Sequence, residues 1–521
     1  MADRAQPLGP GGWAGVAGAA AIPVLILACT GALVWRAEPG SGLSPSDWAA
    51  IRFTLWQAVL SAVLSVGLAI PVARALSRRR FVGRGALVTL LGAPFLLPVI
   101  VAVFGLIAIF GRNGLLNGAL ALAGLPAVSV YGLHGVVLAH VFFNIPLATR
   151  LILQGWQEIP AERFRLAATL DMDAGAVARH LERPMLLSVV PGAAVVVFVL
   201  CLTSFAVALT LGGGPRATTV ELAIYQAVRF EFDLSRAALL SLVQLGLTVT
   251  VALLAFRSVG STDLAAGLDR PADRWEARTR ILRAQDAGVI LVATLFLILP
   301  IGAVILRGVM EVPSLPQSVW TSALRSLAVA GASTVLVTAL ALTMAVAAVR
   351  LGARGGWIEA AGLTAIAASP LVIGTGLFLL VFPFANPERL ALPVTALVNA
   401  ISTLPFALRA LIPALRRVEA DFGRLADSLD LQGWSRMRVL ILPRLSRPLG
   451  FSAGLAAALS MGDLGVVALF ADPEAATLPL QVYRLMGSYR MDEAAGASVL
   501  LLGLSFAAFW AFDRGARRAE A

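Results

Sequence analysis

Long apolar runs, separated by short arginine-rich stretches, set the organisation of this sequence. A helix rises about 1.5 Å per residue, so roughly 20 apolar residues are needed to cross the hydrocarbon of a bilayer. That rule predicts twelve spans. The first six fall near 13–35, 53–74, 86–110, 131–151, 186–210 and 235–256. The second six fall near 287–307, 319–349, 357–382, 392–413, 446–470 and 495–512. The run at 392–413 is the weakest, interrupted by Pro393, Pro405 and Arg409, although membrane helices tolerate proline. The run near 13–35 is too long for a cleaved leader and reads as a retained span.

Arginine placement orients the spans. The stretches 77–84, 150–184, 257–283 and 409–447 are rich in arginine, whereas 111–130, 308–318 and 383–391 hold little. Cytoplasmic loops concentrate basic residues. The alternation therefore puts the rich loops and both termini on the cytoplasmic side of an inner membrane. Composition agrees: 59% hydrophobic and only 14% charged residues leave too little polar surface for a soluble chain of this length. A net charge of +11 suits nucleic acid in principle, but arginines confined between apolar spans assign it to loops, and no nucleic-acid partner is expected. Cys29 and Cys201 sit in apolar runs and read as small buried hydrophobes.

A charged segment is written twice. "RLAATLDMDAGAVARHLERP" (165–184) and "RLADSLDLQGWSRMRVLILP" (424–443) share Arg, Leu, Ala, Leu, Asp, Leu and Pro at an offset of 259 residues. Pro146 and Arg150 recur as Pro405 and Arg409, and Glu162 recurs as Asp421. Each copy lies between the fourth and fifth spans of its half. After each fifth span comes an outer segment of similar ending, "ATTVELAIYQ" (217–226) and "AATLPLQVYR" (475–484). The chain thus divides into a first half, 1–256, with a loop at 155–184, and a second half, 287–521, with a loop at 414–443. The polar stretch 257–286 links them. With an even number of spans in each, the halves run parallel.

Within each copy, Leu166, Ala167 and Leu170, or Leu425, Ala426 and Leu429, share one helical face. A single such helix reads as a surface-lying amphipathic segment. Two at matched positions favour a docking element used twice. Asp171 and Asp430 end the apolar pattern, and aspartate accepts the left-handed backbone of a helix stop better than most residues other than glycine.

The segment resembles the cytoplasmic loop of permeases of binding-protein-dependent ABC importers: glutamate-alanine-alanine, then glycine, nine residues, and isoleucine-x-leucine-proline. Arg165-Leu166-Ala167 and Arg424-Leu425-Ala426 fall on the triplet, Asp171 and Asp430 on the glycine, and Leu181–Pro184 and Leu440–Pro443 on the closing motif. The spacing is kept, but the glutamate is arginine and the glycine aspartate in both copies. The resemblance implies an all-α fused pseudo-dimer of type I importer fold. It also implies a coupling helix in each loop, docked on one of two copies of a cytoplasmic ATP-binding subunit. The segments 211–238 and 460–502 are similar to the fused permeases of thiamine importers, with those of ferric-iron importers as the nearest alternative. The thiamine resemblance implies a periplasmic thiamine-binding-type protein as a further partner.

The chain contains no lysine, so the Gly-Lys-Ser/Thr loop that cradles nucleotide phosphates cannot be built, and ATP hydrolysis is expected in another subunit. No metal or cofactor is expected in this chain. Asp171-Met172-Asp173 suggests a metal site, but the other copy reads Asp430-Leu431-Gln432. His134, His140 and Asn144 on the fourth span read first as helix-to-helix hydrogen-bonding groups. Asp463, beside Gly462 and Gly465, is either a capped helix break or a carboxylate facing a small-molecule path. Thr203, Ser204 and Ser460 are further path candidates. No nucleophile–base pair or carboxylate constellation marks an enzyme. An ion-driven secondary transporter also has twelve spans in two halves, but it would not need the charged loop twice.

Overall fold

The computed structural model describes residues 9–37, 42–92, 96–214, 217–258, 274–470 and 475–518, and every regular element among them is helical. Eleven helices are long and apolar enough to cross a membrane. The first six are Gly11–Arg36, Pro45–Arg78, Val99–Leu122, Leu133–Glu158, Ala174–Leu202 and Leu234–Val251. Then follow Arg280–Gly308, Gln317–Arg350, Ala391–Ser428, Ser446–Phe470 and Met491–Gly515. A helix pair, Gly352–Ala365 and Pro370–Val381, bent by 87°, supplies the ninth of twelve spans.

Several boundaries differ from those the apolar runs predict, and local chemistry explains each. The third span starts at Val99, not near 86, because Pro98 stands at its N-cap and the preceding Arg84–Leu90 is a separate short helix. It reaches its length only through Leu115–Leu122. The ninth span breaks at Ser369-Pro370, where Ser369 Oγ accepts the Leu371 N–H. The weakest run is in fact part of one 38-residue helix, Ala391–Ser428, which absorbs Pro405 and Pro413 and carries the start of the second charged segment. The seventh span begins at Arg280, inside the expected linker. Residues 259–273 of that linker lie outside the described residues.

The first span of each half does not stay with its own half. Gly11–Arg36 packs on the eighth and ninth spans as well as the sixth, and Arg280–Gly308 packs on the second and third as well as the twelfth. Glycines permit these crossings. A Cβ at Gly105 would lie 2.5 Å from the Pro300 carbonyl oxygen, and one at Gly376 would lie 2.5 Å from Cys29 Cβ. Small residues let membrane helices approach backbone to backbone where hydrophobic burial gives no net drive.

The segments 217–226 and 475–484 are fixed by matched bonds. Thr54 Oγ1 on the second span accepts the N–H of Val220, and Ser326 Oγ on the eighth accepts that of Leu478, at 2.9 and 2.8 Å. Val220–Gln226 and Leu478–Gly487 are the short helices so anchored. A donor at a helix start has no partner within its own helix, so each hydroxyl satisfies a group that would otherwise be orphaned.

Candidate functional site

In the first half, Pro160 drives Ile159 into an extended conformation and ends the fourth span, and a separate helix, Ala161–Thr169, follows. In the second half the matching position is Glu419, so the helix runs on unbroken to Ser428. Despite this, the two segments close identically. Asp171 and Asp430 take φ of 50° and 49°. Met172 N–H donates to the Ala167 carbonyl at 3.0 Å and Asp171 N–H to that of Ala168 at 3.1 Å. Leu431 N–H likewise donates to Ala426 at 2.9 Å and Asp430 N–H to Asp427 at 3.1 Å. This is the paired six-to-one and five-to-two bonding of a left-handed helix stop, with aspartate where glycine is usual. Asp173 then accepts the Ala176 N–H at 2.7 Å, so "DMD" is a helix stop followed by a helix start. Each segment joins the fifth span of its half through a π-turn, Ala178–Glu182 or Met437–Ile441, just ahead of Pro184 or Pro443. The wider turn gives the proline ring room and needs no N–H from it.

Burial alternates the same way in both copies. Ala167 and Ala426 are each 2% exposed, whereas Leu166 and Leu425 are 61% and 57% exposed. Leu170 and Leu429 project as well. Arg165, Glu162, Arg424 and Asp421 are exposed beside them. Each half therefore presents two uncovered leucines flanked by charge at a helix end fastened by its alanine, a short helix in the first half and the end of a long one in the second.

What holds each handle differs. Glu182 is buried among Arg74 at 2.7 Å, Arg78 at 3.5 Å and Arg274 of the linker. Arg274 also pairs with Glu276 and lies 4.5 Å over the Phe164 ring of the helix Ala161–Thr169. Arg79 and Asp286 add a second tie, at 2.6 Å, to the start of the seventh span. In the second half, Arg436 plays the anchoring part, pairing with Glu419 and, at 2.7 Å, with Asp427. Gly423 stands where the first half has Phe164, and a Cβ there would already lie 3.1 Å from Glu419 Oε2 and 3.4 Å from Arg436 Nη2. The charged residues doing this work carry no shared motif, which is why the duplicated pattern does not disclose them.

Inside the bundle, the fifth and eleventh spans both break at one register, Thr203-Ser204 and Gly462-Asp463, and resume as Phe205–Leu211 and Gly465–Phe470. In the first half, Gln57 Nε2 donates to the freed carbonyl of Cys201 at 2.9 Å, and Gln244 Nε2 to that of Leu202 at 3.0 Å. In the second, Asp463 Oδ1 accepts the Gly465 N–H at 3.3 Å, and Asn399 Nδ2 donates to Ser460 Oγ at 3.0 Å. Asp463 Oδ2 is buried without a hydrogen-bond partner among the described residues. Asp463 is thus at a capped break, as one of its two readings expects. Non-helical backbone at membrane depth survives only where protein or a cavity satisfies it.

The breaks face one another, since a Cβ at Gly465 would lie 3.5 Å from Phe205 Cδ1. Phe205 and Gly465, each just past its break, thus meet across the join of the halves, while Thr203, Ser204 and Asp463 lie on the breaks and Ser460 just before the second. His140 takes another role, with Nδ1 3.2 Å from Ser61 Oγ between the second and fourth spans, while Asn144 donates to Cys201 Sγ at 3.4 Å. His134 bonds the Ser129 carbonyl near the outer end of its helix. Gln57, Gln244 and Asn399 were readable as polar residues in apolar runs, and Asn399 falls on His140 at the repeat offset.

No protein-family model matches the chain. It is 39% identical over 537 residues to the thiamine transport system permease protein ThiP of Salmonella typhimurium, covering 99% of this chain and 98% of that protein. To the protein of the same name from Escherichia coli it is 40% identical, with the same coverage. The molybdenum transport system permease protein ModB of Mycobacterium bovis is 31% identical over 218 residues, which are 42% of this chain and 80% of that shorter permease. Two homologous six-span halves, and this level of identity from end to end, show that the chain belongs to the family of thiamine transport system permease proteins, fused two-half permeases of the ABC importer type.

Proposed function

We propose that this chain moves thiamine, or its phosphates, into the cytoplasm as the membrane subunit of an importer driven by ATP hydrolysis in a separate subunit. The observation that carries the reading is the matched pair of uncovered leucines, Leu166 with Leu170 and Leu425 with Leu429, on two helices of identical closure. Two copies of an ATP-binding subunit dock there, one on each handle. The handles and both termini face the cytoplasm, and a periplasmic thiamine-binding-type protein delivers substrate to the opposite face. The chain itself binds no cofactor or metal. Its halves are 1–256 and 287–521, joined by 257–286. Substrate passes the facing breaks, by Thr203, Ser204, Ser460 and Asp463, and the Asp463 carboxylate receives the cationic ring. Docking transmits only as much energy as its contacts differ between nucleotide states of the ATPase.

The experiment is uptake into proteoliposomes holding the chain, its ATPase and the binding protein, with thiamine and ferric iron offered in turn. The reading expects thiamine uptake that needs ATP. Uptake driven by a proton gradient without the ATPase would contradict it, and uptake of ferric iron alone would replace the substrate. Asp463→Asn is expected to lower thiamine uptake by roughly tenfold, the weight of one lost charge contact of about 1.4 kcal/mol.

A further inference from the structure

At the end of the molecule opposite the docking helices lies a cavity of about 210 Å³ at the join of the halves. Its walls include Tyr225 from the first outer helix and Tyr483 from the second. These tyrosines occupy the same place in the duplicated segments "ATTVELAIYQ" and "AATLPLQVYR". The cavity is walled mainly by the first half, and Tyr483 adds the second half to its lining. Tyr225 stands edge-to-face with Phe230, ring centroids 5.6 Å apart, and with Phe205 at 5.3 Å. Phe205 begins the helix just past the Thr203-Ser204 break and reaches Gly465 beside Asp463. The wall opposite is bare backbone, with Gly213 and Gly214 at φ of 71° and 119°, conformations suited to glycine. A Cβ at Gly213 would lie 3.0 Å from Tyr131 Cβ.

We propose that this cavity is a substrate subsite that takes one planar heteroaromatic ring against the tyrosines Tyr225 and Tyr483 of its lining, just outside Phe205 and the facing breaks. The inference rests on the importer reading above and adds a site in the permease itself. Its volume is below the roughly 300–1,000 Å³ of sites that enclose a whole drug-sized ligand, so it holds a single ring. Recognition is by ring faces in offset or edge geometry. The ring then leaves one aromatic contact for the next, past Phe205, toward Asp463.

The test uses the full chain with its ATPase, with thiamine as the probe. Saturation-transfer NMR on the detergent-solubilised chain with its ATPase, the binding protein left out because its own thiamine site would give the signal, should light the ring protons of thiamine, and proteoliposomes of the complete transporter should take thiamine up. Tyr225→Ala and Tyr483→Ala are each expected to lose the NMR transfer and to lower uptake about tenfold, the upper range for one lost aromatic contact. Tyr225→Phe and Tyr483→Phe are expected to keep both signals, and their loss would overturn the assignment to ring faces. Leu222 also lines the cavity. Leu222→Trp fills the space without deleting a ring and is expected to block uptake equally, which guards against an alanine variant that does not assemble. Unchanged uptake and transfer in the alanine and tryptophan variants would overturn this inference alone. A wild type that takes up no thiamine would overturn the importer reading and this inference with it.

Discussion

Asp171 and Asp430 sit at φ of 50° and 49°, a region that costs an ordinary residue roughly 1–2 kcal/mol and glycine nothing. Because both bonds of the helix stop are already made, Asp171→Gly and Asp430→Gly should keep the docking helices intact. Each should raise unfolding stability by about 1 kcal/mol, read as an upward shift in melting temperature. A fall would show that the aspartates are selected for a contact beyond the turn. Glu182 and Arg274 give the opposite lesson. Removing Arg274 leaves Glu182 with Arg74 and Arg78 and strands only Glu276, whereas removing Glu182 strands the buried Arg78 and the half-buried Arg74 together and leaves Arg274 with Glu276 alone. Stranding buried charge costs roughly 3–5 kcal/mol, so Glu182→Leu should lower the melting temperature more than Arg274→Ala. Equal effects would contradict the shared-carboxylate picture.

At the scale of elements, periodicity and repetition located the two charged segments and their shared closure. The Leu-Ala-Leu face, the aspartate stop and the closing proline fall at one offset, and the two copies adopt one closure. What the offset conceals is divergence in the supports. Pro160 against Glu419 decides whether the helix breaks, and Phe164 against Gly423 decides whether the space beside the handle takes a ring or an arginine. Apolar runs located the fifth and eleventh spans, and Asp463 between two glycines offered the eleventh's break as one reading, but the fifth's stayed hidden, because hydropathy is blind to which carbonyl has lost its donor. The donors come from other helices, as with Gln57 and Gln244. Gln57→Leu should therefore leave the Cys201 carbonyl unsatisfied and cost roughly 1–3 kcal/mol in thermal unfolding. A neutral result would mean that the break is satisfied by other groups.

Over the whole molecule, the halves written in sequence are not the units that pack. The first span bridges its own sixth span and the eighth and ninth of the other half, and the seventh span does the converse. Motion between halves must carry these bridging helices along, while the facing breaks at Thr203-Ser204 and Gly462-Asp463 lie where the halves meet. A two-fold partner pulling on two handles suits such a frame, because each handle continues directly into the broken span of its own half through a π-turn. That arrangement reduces the central claim to a count. The mass of the detergent-purified complex, with ATPase in excess, should correspond to two ATP-binding subunits per chain in the wild type. It should fall to one for Leu166→Asp or Leu425→Asp alone, and to none for the double variant, with membrane insertion unchanged. A double variant that still holds two ATP-binding subunits would contradict the account.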